Sequence, residues 1–225
     1  MDLLSSLNPE QQDAVLQTEG PILILAGAGS GKTRVIAHRI AHLVSTDICQ
    51  SDRVLAVTFT NKAAEEMRTR VETLLGVDCR QMWISTFHAL CARLLRREGP
   101  HVGLSRDFVI YDSTDQLTLI KQAMRQLGVD DAAVQPRQAL SRISHAKNRM
   151  EGPDVLAANA WNPRDQQVGT LYVMYLKALA DANALDFDDL LLKTVELFEK
   201  SEQVRDKYSG QFRFLMVDEY QDTNR

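Results

Sequence analysis

Ala26-Gly27-Ala28-Gly29-Ser30-Gly31-Lys32-Thr33 is the stretch that decides how the rest of this chain reads. The apolar run Pro21-Ile22-Leu23-Ile24-Leu25 precedes it, and a helical pattern opens at Thr33. Glycines at positions 27, 29 and 31 let the backbone turn tightly and point successive N–H groups inward. Together with the positive end of the following helix, those donors make a concave anion site. Lys32 is placed to reach the β- and γ-phosphates of a nucleotide, and the Thr33 hydroxyl suits Mg²⁺. The strict pattern opens on glycine, where this chain has Ala26. A strand before and a helix after give the segment the context of a phosphate loop.

Composition narrows the surroundings. The chain has 225 residues, 44% hydrophobic and 25% charged, the balance of a globular protein with one large or two modest domains. A net charge of −4 excludes a global basic field, so nucleic-acid contact would rest on a local surface. Cys49, Cys79 and Cys91 lack metal-ligand spacing and suggest buried thiols in a reducing compartment. The start, Met1 to Ser6, has no basic segment and no long apolar one, and no run reaches membrane-spanning length. The expectation is a cytoplasmic protein with no membrane partner.

Working outward, Asn8-Pro9-Glu10-Gln11 reads as a helix start, with Asn8 as cap and Gln11 at the capping-box position. Gln11 has a second reading, as an amide that pairs with adenine. The helix after the phosphate loop extends from Thr33 to about Ser45. Two further apolar runs, Val54–Val57 and Met82–Ile84, end in Thr58-Phe59-Thr60-Asn61-Lys62 and Ser85-Thr86-Phe87-His88, and each feeds a helix. Strand alternating with helix argues for an α/β fold with a parallel sheet. Ligands of such sheets sit beyond the carboxyl ends of the strands, so the three segments should line one edge.

From Gly99 to about Ala184, apart from a short extended piece at Phe108-Val109-Ile110-Tyr111, the pattern is helical, broken by Gly152-Pro153 and Asn162-Pro163. Asp112 caps one expected helix, Pro136 opens another, and a third covers Val168–Ala182. Arg137, Arg142, Lys147 and Arg149 fall off the apolar stripe, either as phosphate contacts or as a solvated face. Asp186-Phe187-Asp188-Asp189 caps a helix through about Lys200. Finally Phe212–Val217 leads into Asp218-Glu219, an apolar strand followed by an acidic pair, as in a Walker B segment. Asp218 is placed to support a Mg²⁺ shell and Glu219 to take a proton from attacking water. The long interval from Lys32 to Asp218 argues for an inserted subdomain.

These segments together resemble the N-terminal part of a superfamily 1 DNA helicase of the UvrD/Rep/PcrA type. Leu7–Gln11 is similar to that family's adenine-reading segment, Ala26–Thr33 with Arg34 to its Walker A segment, and Ala56–Ala64 to its motif Ia. Ser85–His88 is similar to motif Ib, and Val217–Asn224 to motif II. The resemblance implies a RecA-like ATPase sheet of the phosphate-loop class over residues 1–88 and 186–225, with a mostly helical insertion at 89–185. It implies ATP and Mg²⁺ as cofactors, held by Gln11, Ala26, Gly27, Ala28, Gly29, Ser30, Gly31, Lys32, Thr33 and Arg34, with Thr33 and Asp218 on the metal. It assigns catalysis to Lys32, Asp218 and Glu219.

The same resemblance implies single-stranded DNA and its junctions with duplex as partners, bound by Thr58, Phe59, Thr60, Asn61, Thr86 and His88. Phe59 would stack on a base; without the family, the apolar residues before it favour reading it as core. The function implied is 3′-to-5′ translocation driven by ATP hydrolysis, in DNA repair or replication, with proteins of those processes as partners. Relatives continue past motif II into a second RecA-like domain that supplies a transition-state arginine. On that ground the expectation for this chain by itself is Mg²⁺·ATP binding with weak hydrolysis. The alternative is a phosphate-loop nucleotide-binding module or switch without motor activity.

Overall fold

The computed structural model describes residues 3–27, 29–130 and 134–223. Ala28 of the phosphate loop and Asn224 of the acidic segment lie outside the described residues. In chain order the elements begin with α1 (Pro9–Leu16), α2 (Lys32–Ser45), β1 (Val54–Thr58), α3 (Asn61–Leu75), β2 (Trp83–Thr86) and α4 (Phe87–Glu98). They continue with β3 (Val109–Ile110), α5 (Ser113–Leu127), α6 (Pro136–Asn148), α7 (Pro153–Ala158) and α8 (Pro163–Asp181). The last are β4 (Ala184–Leu185), α9 (Phe187–Lys200), α10 (Glu202–Gln211) and β5 (Phe214–Val217). The chain divides into two compact units, one of residues up to Leu90 with those from Arg205 onward, the other of Cys91–Val204.

The first unit is built on a parallel sheet of order β2-β1-β5. Every residue of β1 is buried, as expected of a central strand covered on both faces. Side chains alternate between the faces. On one face Val54, Ala56, Ile84, Phe214 and Met216 pack with Ala37, Ile40 and Leu43 of α2 and Met67 and Val71 of α3. Each large aliphatic side chain so buried contributes about 1.5–3 kcal/mol, which fixes α2 and its leading loop to the sheet. Elsewhere in the unit the Trp83 ring meets Phe212 and Tyr208 edge-on, at 5.1 and 6.2 Å.

The run Pro21–Leu25, expected as a strand, joins no ladder among the described residues. Leu23 and Leu25 are 68% and 86% exposed, while Ile24 packs on Leu7, Val15 and Val35. An apolar run marks a segment that can pair, but the partner is a matter of tertiary structure. In this structure β5 is an edge of the sheet.

In the second unit Ile120 and Met124 of α5, Ala139 and Ile143 of α6, and Leu171 and Tyr175 of α8 form the core. A two-stranded parallel pair, β3 with β4, joins Val109 to Ala184 and Ile110 to Leu185. A Cβ at Gly169 would lie 3.0 Å from the Ala157 Cβ, so glycine there lets α7 and α8 approach closely. α8 starts ahead of Val168 because Asn162 accepts from the Asp165 N–H and Pro163 suits the first turn. The return to the first unit lies at Arg205 and not at Asp186. α9 belongs to the helical unit, and at its start Lys147 Nζ of α6 donates to Asp186 Oδ2 and Asp189 Oδ1 at 2.7 Å each. Lys147 is therefore neither a phosphate contact nor a solvated charge; it is 1% exposed. Among the described residues no helix is long and apolar enough to cross a membrane.

Candidate nucleotide site and nucleic-acid edge

α2 begins without a side-chain cap, on Gly31, and has no acidic residue in its first turn. α3, by contrast, is capped by Thr60, and α5 by a capping box at Asp112. The first N–H groups of α2 thus remain available as donors at the positive end of the helix. Gly29 and Gly31 have φ of +77° and +90°, in the left-handed region that favours glycine. A Cβ on Gly31 would also come within 3.1 Å of Gln11 Nε2. Lys32 folds back over this loop, its Nζ 3.2 Å from the Ala26 carbonyl oxygen and 3.3 Å from that of Gly27. The Ser30 hydroxyl donates to the same Gly27 carbonyl at 2.7 Å.

β5 carries the acidic pair to the same place. The Asp218 N–H donates to the Val57 carbonyl at 2.9 Å, extending the β1–β5 ladder by one residue. Asp218 is only 4% exposed, and both its carboxylate oxygens are engaged. Oδ2 accepts from the Thr33 hydroxyl at 2.9 Å and Oδ1 from the Glu219 N–H at 3.1 Å. Glu219 has φ +52° and ψ +48°, a left-handed backbone uncommon for a residue with a side chain. Its Oε1 lies 3.9 Å from Lys32 Nζ, and its Oε2 accepts from Gln221 Nε2 at 2.5 Å. The structure thus brings Lys32, Thr33, Asp218 and Glu219 into one constellation.

The donor set fits a hard divalent cation: a hydroxyl beside a buried carboxylate, both oxygen ligands. Mg²⁺ is characteristically held by one or two carboxylates with substrate phosphates and water, not by an all-protein cage. The described residues contain no cluster of three or more His, Cys, Asp or Glu side chains able to hold a metal.

Gln11 takes its helix-start role. Its N–H donates to Asn8 Oδ1 at 2.8 Å, and its Oε1 accepts from the Asn8 N–H at 3.1 Å, the two bonds of a capping box. The amide nitrogen then donates to the Ser30 carbonyl at 2.9 Å, tying α1 to the phosphate loop. Arg34 Nη2 donates to the Ser6 carbonyl at 2.6 Å, so it also fastens the N-terminal segment to α2.

The segments expected to meet DNA lie at the carboxyl ends of β1 and β2, where the register sets Thr58 beside Thr86. Both threonines are buried, at 2% and 6% exposure, and the Thr86 hydroxyl accepts from the Ala89 N–H at 3.3 Å. Phe59, Thr60 and Asn61 are exposed and His88 is half-buried. Thr60 also serves as the cap of α3, accepting from the Ala63 N–H at 3.1 Å. The Phe59 ring is 39% exposed and leans on Phe87, ring centres 5.2 Å apart and tilted by 54°. Gln221 falls within Val217–Asn224, the segment that resembles motif II, where the family shows Asp-Glu-x-Gln-Asp; sequence reasoning gave it no role of its own, and its contact with Glu219 is visible only in the fold.

Comparison with known proteins identifies the family. The family profile described as the UvrD/REP helicase N-terminal domain matches residues 7–225. The chain is 47% identical over 223 residues to the ATP-dependent DNA helicase PcrA of Bacillus subtilis (strain 168), covering 99% of this chain and 30% of that protein. It is 45% identical to the protein of that name from Staphylococcus aureus (strain Mu50), again over 99% of this chain and 30% of the relative. The chain thus spans about 30% of the length of these curated relatives. With its parallel sheet and with the profile matching from residue 7 onward, the chain belongs to the UvrD/REP helicase family.

Proposed function

We propose that this chain binds Mg²⁺·ATP and forms part of a 3′-to-5′ DNA helicase acting on single-stranded DNA and its duplex junctions, in repair or replication. The observation that carries the reading is the convergence of Lys32 and Thr33 with Asp218 and Glu219. In this reading the α2 N–H groups and Lys32 bind the phosphates, with Lys32 leaving the Ala26 and Gly27 carbonyls to do so. Thr33 and Asp218 hold Mg²⁺, which when bound neutralises charge on the phosphate oxygens. Glu219 accepts a proton from water as the water oxygen bonds the γ-phosphorus and the β–γ bridging oxygen departs with ADP. Gln11 reads adenine by exchanging its Ser30 bond for the base, and Arg34 holds the loop's flank. Asp218 and Lys32 count as catalytic with Glu219 because each would touch the reacting phosphates or their metal.

On the DNA side, exposed Phe59 offers a face on which a base can stack. Thr60 and Asn61 follow it in the chain, His88 follows Phe87, on which the Phe59 ring leans, and Thr58 and Thr86 are paired and buried at the ends of β1 and β2. Anisotropy of labelled oligo(dT), at two salt concentrations with a non-hydrolysable ATP analogue and Mg²⁺, tests this. Phe59→Ala should weaken binding by about 1–3 kcal/mol, the value of one stacked base, and binding of the unaltered chain should fall as salt rises. No binding at low salt, or binding indifferent to Phe59, would favour a nucleotide module or switch without motor activity.

A further inference from the structure

We infer that Gln221 is a positioning residue for Glu219, an inference that rests on the ATP-hydrolysing reading above. Glu219 has two charged or polar partners for its carboxylate among the described residues, one on each oxygen. Lys32 faces Oε1 from 3.9 Å, and Gln221 donates to Oε2 at 2.5 Å. The two contacts differ in permanence. Lys32 is half-buried in the phosphate loop and is the group a nucleotide would draw away. Once it turns to phosphate, the Gln221 amide is the remaining donor on the carboxylate. The carboxylate needs one, because its side chain is 40% exposed and has rotamers open to it.

The backbone supports the same assignment. Glu219 sits in the left-handed region at the head of a short 3₁₀ turn, Tyr220–Asp222, closed by the Asp222 N–H on the Glu219 carbonyl at 2.9 Å. That turn carries Gln221 back over the residue it follows and sets amide against carboxylate. With Oε2 occupied by the amide, Oε1 is the oxygen left to accept a proton from water, on the side where Lys32 lies. Gln221 itself is exposed and carries no packing load, so its side chain can be changed without opening the core.

The test is single-turnover hydrolysis of Mg²⁺·ATP, chain in excess, beside a titration of a fluorescent ATP analogue, for Gln221→Met, Gln221→Lys and Glu219→Gln. Methionine keeps the length and removes the donor; lysine restores a donor. The expected result is a loss of about 10- to 100-fold in rate for Gln221→Met, the scale of a misplaced catalytic group, with nucleotide affinity unchanged within about twofold. Gln221→Lys should recover most of that rate. A Gln221→Met rate equal to that of the unaltered chain, while Glu219→Gln is slow, overturns the inference and leaves the ATPase reading standing. Loss of affinity in step with rate also overturns it, since that is the mark of a structural role. A rate in the unaltered chain no higher than in Glu219→Gln overturns both.

Discussion

Each unit of this chain sets a lysine against acidic residues that follow a short strand, two for Lys147 and one for Lys32, and the two constellations behave oppositely. In the helical unit Lys147 is 1% exposed and bonds Asp186 and Asp189 at 2.7 Å each, while the Tyr175 hydroxyl donates to Asp186 at 2.8 Å. Asp186 and Asp189 also close a capping box on α9. In the phosphate-loop unit Lys32 has a side chain 23% exposed, stands 3.9 Å from Glu219 and otherwise leans on backbone carbonyls. Its acidic partner holds a left-handed backbone. A buried polar set that satisfies itself fixes one packing arrangement. A looser set with a strained backbone and open N–H donors suits groups that must trade partners with a ligand. Charge count alone cannot tell the two apart; burial and satisfaction can.

The largest effect that would break this contrast is on stability. Lys147→Met leaves two carboxylates buried without their cation and should cost about 3–5 kcal/mol, read as a shift in the urea midpoint. Lys32→Ala should stay within about 0.5 kcal/mol in the same assay, as for a surface change. Equal losses would erase the distinction. Next in size, Thr33→Ala removes one oxygen ligand of the proposed cation site. Nucleotide affinity should then lose much of its dependence on Mg²⁺, while affinity without the metal changes little; titrations with and without EDTA would show it.

The smallest effect is on pH dependence. Burial, then the carboxylates of Asp189, Asp186 and Asp188, pushes the Tyr172 hydroxyl up from 10 to about 12. Burial and the Asp186 charge raise that of Tyr175 in the same direction. Above pH 10 the unfolded chain releases these protons before the folded one does, so the folded state loses relative stability. The buried thiols of Cys49, Cys79 and Cys91, raised by burial above 9.0, start an alkaline decline in the same way; the tyrosines should steepen it between pH 10 and pH 12, and Tyr172→Phe should remove part of that steepening. Burial also raises the Asp189 carboxyl despite the opposing pull of Lys147, the signature of desolvation in that cluster. An alkaline decline unchanged by Tyr172→Phe would place the titration elsewhere.

How much of this could be read from residues follows from how local each cause is. The phosphate loop was legible because glycine, lysine and threonine at fixed offsets act through the turn they form. The acidic pair after an apolar strand was legible for a similar reason, and so were the caps at Asn8, Asp112 and Asp186. The unpaired run Pro21–Leu25 was not legible, since pairing depends on a neighbour the run does not contain. Nor was the return at Arg205, which follows from α9 packing within the helical unit; periodicity also placed Lys147, which bonds the start of α9, off the apolar stripe. α10 had a signal that went unused, Val204, Tyr208 and Phe212 at four-residue intervals, all buried. Gln221 was legible as a member of the segment resembling motif II, but its contact with Glu219 was not, because that depends on the left-handed turn at Glu219.

The most direct test of the central claim is equilibrium binding of a fluorescent ATP analogue to this chain, with and without Mg²⁺, beside Lys32→Ala and Asp218→Asn. The expected result is saturable binding strengthened by Mg²⁺. Lys32→Ala should weaken it at least tenfold, about 1.4 kcal/mol, and Asp218→Asn should abolish the Mg²⁺ effect. Binding of equal strength in all three proteins, or binding indifferent to Mg²⁺, would contradict the assignment of this constellation to nucleotide and metal.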